Sequence, residues 1–271
     1  MYPFTYRRPA TLADAQRLFG DAENASFLSG GHTLLPALKM RLAMPSDLID
    51  LAAIPELHGI RFEDGALSIG ATTRHAEVAA SPVVGERIPA LAGLAGSIGD
   101  RHVRHRGTIG GSVANNDPAA DYPAGVLGLG ATIVTSRRQM TADDFFVSLY
   151  ETALEPGEIV TRIVFPVPAI ASYAKFRSAA SRYSVAGVFV ARTGSTVRVA
   201  VTGAGAQGVF RPAELEAALT VDFRPEAIKG CAIDPATLLS DQNASAEYRA
   251  NLILVLARRA MEKLGTIQSF K

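Results

Sequence analysis

Leu28-Ser29-Gly30-Gly31-His32-Thr33-Leu34-Leu35 reads as the end of a strand, two glycines and the start of a helix. Ser26-Phe27-Leu28 supplies the strand, and the helical pattern runs from Leu34 to Leu42, closed before Pro45. Adjacent glycines let the backbone take positive φ and bring its N–H groups against a ligand with no Cβ in the way. A helix start adds free N–H donors, which favour a phosphate, and Thr33 can add a hydroxyl. The same idea returns in Arg106-Gly107-Thr108-Ile109-Gly110-Gly111-Ser112-Val113-Ala114-Asn115-Asn116-Asp117, where Thr108 and Ser112 flank the glycine pair. Neither pair is followed by Gly-Lys-Ser/Thr, so neither is a Walker loop, and neither fits the Rossmann Gly-x-Gly-x-x-Gly. Two such loops could grip a pyrophosphate from both sides. For either pair taken alone a tight turn that needs positive φ is the better account, and only the two loops together bring the phosphate reading level with it.

Around these loops the pattern alternates helix and strand. Thr11 caps a helix running to Gly20, with Asp14 in its first turn. Asp47–Leu51 and Ala66–Gly70 are alternating strands, the second after an Asp64-Gly65 turn. Helices are expected near Thr73–Ala80, Pro89–Gly99 and Ala124–Leu129, with no long regular element in the polar stretch from Arg106 to Asp121. Ala131–Thr135 and Glu158–Phe165 are strands. Pro166-Val167-Pro168 breaks pairing and is taken as a domain boundary, giving domains 1–168 and 169–271. Beyond it, Tyr173–Arg177, Val185–Ala191 and Val197–Val201 suit an antiparallel sheet with a Gly194-Ser195 turn. A helix over Pro212–Leu219 follows. A closing helix from Ser245 carries Tyr248, Leu252, Leu256 and Ala260 at core spacing and ends at Gly265.

Composition narrows the partners. The chain has 271 residues, 48% hydrophobic and 20% charged, with a formal net charge of +1. A near-neutral globular chain offers no electrostatic case for nucleic acid or an anionic membrane. The residues Met1–Pro9 lack the apolar centre of a secretory signal, and the longest apolar run, Leu252–Ala257, is too short to span a bilayer. A cytoplasmic location is expected. A single cysteine, Cys231, excludes an internal disulfide or a Cys-ligated iron–sulfur cluster held by this chain alone. His102 and His105 lack the carboxylate spacing of a metal site, and none is expected.

Three stretches, Ser29–Pro36, Thr108–Ser112 with its run-on to Asp117-Pro118-Ala119-Ala120-Asp121, and Asn243–Arg249, resemble the flavoprotein (medium) subunit of the xanthine dehydrogenase and aerobic carbon monoxide dehydrogenase family. The resemblance spans Phe4 to about Leu264. It implies an α+β chain. An N-terminal FAD-binding domain of two α/β subdomains, of the vanillyl-alcohol oxidase type, is followed by a C-terminal antiparallel sheet packed with helices. It implies one non-covalent FAD, its pyrophosphate held by the backbone amides of Leu28–Leu35 (Leu28, Ser29, Gly30, Gly31, His32, Thr33, Leu34, Leu35) and Thr108–Ser112 (Thr108, Ile109, Gly110, Gly111, Ser112). By the same resemblance Ile98, Asp121, Val160 and Arg177 line the flavin and Tyr183 packs on the isoalloxazine ring, while Asp117 is a candidate for ribityl or ribose contact. Ser112 stands where some members have Asn, and Arg177 where animal enzymes have Lys. The molybdopterin cofactor and two [2Fe-2S] clusters belong to a large and a small partner chain, in a heterotrimer doubled to a heterohexamer.

Simpler roles exist for several of these residues. His32 can cap its helix, Asp117 and Asp121 can form Asx turns beside proline, Arg177 can be a surface cation and Tyr183 a half-buried sheet residue. Cys231 fits a passive small hydrophobe. The leading functional reading is an oxidoreductase subunit that passes electrons from the clusters through FAD to an external acceptor, with no catalytic base of its own. A self-contained flavin oxidase of the vanillyl-alcohol oxidase class is the first alternative, and a nucleotide-binding scaffold without redox activity is the second. The residues after Pro168 make a small domain for a substrate cap.

Overall fold

The computed structural model describes residues 1–268. Strands β1 (Thr5–Arg7) and β2 (Ala25–Leu28) both pair in parallel with β3 (Asp47–Asp50), in the order β1-β3-β2. Helix α1 (Leu12–Asp21) makes the crossover, and its Thr11 side chain accepts from the Asp14 amide as the sequence predicts. Strand β2 feeds directly into α2 (Leu34–Lys39) through the first glycine loop.

The second sheet is antiparallel throughout. Strands β4 (Ile60–Glu63) and β5 (Ala66–Gly70) form a hairpin whose turn residues, Asp64 and Gly65, both have positive φ. Next come β6 (Thr132–Thr135), β7 (Gln139–Thr141), the short hairpin β8 (Phe146–Ser148) with β9 (Glu151–Thr152), and β10 (Val160–Pro166). The sheet order is β4-β5-β10-β6-β7. Pro166 closes β10 as its last paired residue, opposite Ala66, and only residues 167–169 separate it from the next strand.

Between β5 and β6 the chain forms α3 (His75–Ala80), α4 (Pro82–Arg87), α5 (Pro89–Ser97), α6 (Arg101–Arg106), α7 (Ile109–Asn115) and α8 (Tyr122–Gly128). Helix α7 corrects the expectation of an irregular stretch after Arg106. Thr108 caps it through the Gly111 amide, and Asn116 ends it in the left-handed region. Its glycines lower helix propensity, so the pattern hid it. A one-turn helix α9 (Ala142–Phe145) follows β7.

The C-terminal sheet is a meander of β11 (Ile170–Arg177), β12 (Ser184–Thr193) and β13 (Thr196–Thr202). Residues 184–191 of β12 are all buried. Successive strand residues face opposite sides, so an unbroken apolar run means both faces are covered. Phe189 and Ala191 join the central core with Leu67, Ile69, Leu94 and Phe165. Val188 and Val190 meet Ile253, Leu256 and Ala260 of the long helix α11 (Ala246–Gln268), with α10 (Ala213–Val221) beside it. Two details differ from the sequence reading. Helix α11 runs through Gly265 to Gln268, because a glycine weakens a helix by only ~1 kcal/mol and need not stop it. Tyr248 lies outside the core, exposed and edge-on to Phe176.

Candidate functional site

The two glycine loops meet back to back. A Cβ built on Gly30 would stand 2.5 Å from the Arg106 carbonyl oxygen and 2.7 Å from Gly107 Cα. Ser29 Oγ and Thr108 Oγ1 share a hydrogen bond of 2.9 Å across the crossing. No side chain fits between the two backbones, which is why a glycine stands at position 30. Beside the crossing opens a cavity of about 630 Å³, within the ~300–1,000 Å³ range of small-molecule and cofactor sites.

The cavity runs from the parallel sheet, where Phe19, Phe27 and Ile159 border it, past both loops to the C-terminal hairpin. Of the residues singled out in the sequence, Leu28, Ser29, Gly30, Gly31, His32, Thr33, Leu34, Ile98, Thr108, Gly110, Gly111, Ser112, Asp117, Asp121, Val160 and Tyr183 line it. Leu35, Ile109 and Arg177 do not. Leu35 turns back to pack against Gly31, and Ile109 is wholly buried in the central core. Helix spacing explains both, since neighbouring positions point to different faces.

The loops differ in what they can donate. Gly31 has φ +74°, which turns the chain into α2. The amides of Gly31, His32 and Thr33 make no hydrogen bond within the described residues. In the second loop, Ile109 N donates to Thr73 O at 3.0 Å, Gly110 N to Ala71 O at 2.9 Å and Ser112 N to Thr108 O at 3.0 Å. The first two hold the loop to the segment after β5, and the third is an internal bond of the first helical turn. Free backbone donors therefore concentrate on the first loop, and the second adds the Ser112 hydroxyl beside them. This set suits a diphosphate, with N–H and O–H donors converging and no carboxylate at the crossing.

Asp117 and Asp121 have separate roles. Asp117 accepts from the Ala119 amide at 2.9 Å, the Asx turn that its place before Pro118 suggests. Burial raises its carboxyl above the ordinary value. Asp121 forms no such turn. It accepts from Tyr173 Oη at 2.5 Å, Ser184 Oγ at 2.9 Å and Lys175 Nζ at 2.9 Å to both oxygens. Lys175 and Asp121 are 8% and 5% exposed, so this is a buried ion pair joining the start of α8 to β11 and β12. Lys175 is invisible in the sequence as a site residue, because a lysine in a strand reads as solvent-facing. The hairpin it supports, residues 178–183, brings Ser181, Arg182 and Tyr183 over the cavity. Burial first, then the charges of Asp117 and Asp121, raise the Tyr183 phenol.

His75 and Gly107 also border the cavity and were not singled out in the sequence. His75 lies in the helix expected near Thr73–Ala80 with no metal-binding pattern around it, and only the fold places it on the second loop.

Comparison with known proteins agrees with this geometry. Residues 2–168 match the family described as the FAD binding domain in molybdopterin dehydrogenase. The chain is 35% identical to the carbon monoxide dehydrogenase medium chain of Hydrogenophaga pseudoflava, over 95% of this chain and 96% of that one. It is 34% identical to the nicotine 6-hydroxylase medium subunit of Paenarthrobacter nicotinovorans, over 96% of each. The solved carbon monoxide dehydrogenase of Hydrogenophaga pseudoflava contains a chain that superposes with a TM-score of 0.87 at 33% identity, covering 98% of this chain and 99% of that chain.

Proposed function

The chain belongs to the family of FAD-binding domains of molybdopterin dehydrogenases, and from that premise we propose that it is the electron-transfer flavin subunit of a molybdenum hydroxylase complex. The observation that carries this reading is the crossing of two glycine loops, one with three free amides, at a cavity of cofactor size. FAD, when bound, supplies the redox chemistry, accepting electrons from one side and passing them to an external acceptor. The chain's own residues bind and screen it. Gly31, His32 and Thr33 offer amides to the pyrophosphate, Leu28, Ile98 and Val160 give apolar walls, and Tyr183 covers one side from the C-terminal hairpin. Domains 1–168 and 169–271 divide the work in this reading, the first gripping the nucleotide and the second closing over it.

The relatives named above are medium chains, so the proposal includes a large chain with the molybdopterin cofactor and a small chain with [2Fe-2S] clusters. The heterotrimer doubled to a heterohexamer and the cytoplasmic location belong to the same proposal. No helix among the described residues is long and apolar enough to cross a membrane. Purification from native extract is expected to yield a yellow complex with two further chains, whose flavin is released to the supernatant by acid precipitation. A lone chain that reduces its flavin directly with substrate would favour the self-contained oxidase instead. Colourless protein that takes up no FAD would favour the scaffold.

Tyr183 separates anchoring from reactivity. It is half exposed and borders the cavity from the C-terminal hairpin, not from a glycine loop. Tyr183→Ala is expected to lower flavin content by less than about half, since one ring contact contributes roughly 0.5–1.5 kcal/mol beyond its buried area. The visible spectrum, the potential and the rate of oxidation by oxygen should change more. Tyr183→Phe tells ring area from the hydroxyl. Unchanged spectrum, potential and oxidation rate in Tyr183→Ala would remove the screening role.

A further inference from the structure

His75 is tied to the second glycine loop by its backbone and by its ring. Its amide donates to the Gly107 carbonyl at 2.9 Å. A Cβ on Gly107 would stand 2.5 Å from His75 Nε2, so the imidazole lies directly on the Gly107 backbone. Gly107 in turn backs onto Gly30. The ring is thus the third layer of the loop crossing, 5% exposed and on the wall of the cavity.

Its two nitrogens are in different surroundings. Nδ1 is sealed off with no hydrogen-bond partner, on a ring whose centroid is 5.2 Å from that of the buried Tyr122. Nε2 also makes no hydrogen bond within the described residues, but it is not among the sealed atoms. Burial, with His32 and Arg104 nearby, lowers the pKa to about 4, so the imidazole is neutral near pH 7. A neutral imidazole carries one N–H. Placing that hydrogen on Nδ1 would bury a donor with nothing to accept it, whereas on Nε2 it can reach the cavity.

We propose that His75 is a phosphate-binding residue, its Nε2–H donating to the pyrophosphate of the dinucleotide held at the crossing of the two glycine loops. The assignment rests on the FAD-binding reading and adds to it a side-chain donor beyond the loop amides. It gives Gly107 a reason as well, because any side chain there would push the imidazole off its seat.

The test compares His75→Leu with His75→Gln in the full chain stripped of flavin. Both lose the ring, and only glutamine keeps an N–H at similar reach. FAD affinity is expected to fall by about 10- to 100-fold in His75→Leu, the equivalent of one hydrogen bond to a charged group, and to be largely restored in His75→Gln. The ³¹P resonances of bound FAD should move in His75→Leu while the flavin absorption spectrum stays as in the parent. Equal losses in both variants would mean that the ring only fills space, and would overturn the assignment. So would parent-like affinity in both. Should either variant fail to fold, ¹⁵N-histidine spectra of the unmodified chain decide. The buried imidazole that does not titrate near neutral pH must show a protonated Nε2 whose resonance moves on adding FAD but not riboflavin. A protonated Nδ1, or an Nε2 signal that FAD leaves in place, overturns the proposal. A parent that binds no FAD would instead remove the functional reading on which the proposal rests.

Discussion

Gly31→Val is expected to give a folded, nearly flavin-free chain, and Gly110→Val a chain with a clearly lowered melting temperature. The two glycines look alike in sequence, and the structure separates them. At Gly31, φ is +74° and the nearest atoms to an added Cβ are the tips of Leu35 and Leu28. Those side chains can move. The positive φ costs a substituted residue about 1–2 kcal/mol, which a domain of ordinary stability tolerates. To relieve it the loop must turn its free amides away from the cavity. Losing two hydrogen bonds to a charged group costs roughly 3–6 kcal/mol, or FAD binding weaker by on the order of 100-fold or more.

At Gly110 an added Cβ would stand 2.4 Å from Ala71 Cβ and 2.7 Å from the Ala71 backbone. That backbone is held by the Gly110 amide itself, at 2.9 Å to Ala71 O. Backbone at the end of β5 cannot yield as a side-chain tip does, and overpacking of this kind costs ~1–3 kcal/mol or more. Circular dichroism, melting temperature and visible absorbance per chain read both results. Full flavin occupancy in Gly31→Val would sink the pyrophosphate site. A native-like melt with no flavin in Gly110→Val would mean that Gly110 faces the ligand rather than Ala71.

Breaking the Asp121–Lys175 pair should cost the chain about 3–5 kcal/mol, as for other buried pairs that lose one partner. Asp121→Leu is expected to be the harsher change. It strands the Lys175 ammonium, whose other acceptor is the Arg182 carbonyl at 3.4 Å, and it also takes the acceptor from Tyr173 and Ser184. Lys175→Met leaves Asp121 with the Tyr173 and Ser184 hydroxyls, so its loss should fall at the lower end. The double variant should unfold at higher urea than Asp121→Leu alone, because an apolar pair carries no stranded charge. Urea midpoints of the four proteins form a double-mutant cycle that reads the coupling. A Lys175→Met midpoint equal to the parent's would show that solvent screens the pair despite its burial. The same pair fixes the hairpin that carries Tyr183, so flavin spectra of Lys175→Met should shift in the same direction as those of Tyr183→Ala.

Much of this architecture was legible in the residues themselves. Thr11 announced a capped helix, Asp64-Gly65 a hairpin turn, and Val185–Ala191 a strand of the C-terminal antiparallel sheet. Each is a local signal, set by backbone sterics or by the period of apolar residues. The glycine pairs marked both loops, and the resemblance they carry is matched by the family of the FAD binding domain in molybdopterin dehydrogenase over residues 2–168.

Local signals end where contacts between distant segments begin. Sequence placed Gly30 and Gly110 in equivalent motifs. Only the fold sets Gly30 against Gly107 and Gly110 against Ala71, so that the first loop keeps its amides free and the second spends them on the core. Asp121, read as a turn residue or a flavin contact, is the acceptor of an ion pair with a lysine 54 positions later. Arg177, Leu35 and Ile109, carried over by the resemblance, do not line the cavity, and His75, which the sequence reading did not name, lies on its wall. The residues determined which elements form and marked two glycine loops. Which donors remain unpaired, and which charges are buried together, was decided by tertiary packing, because desolvation and hydrogen-bond satisfaction depend on neighbours that chain order does not specify.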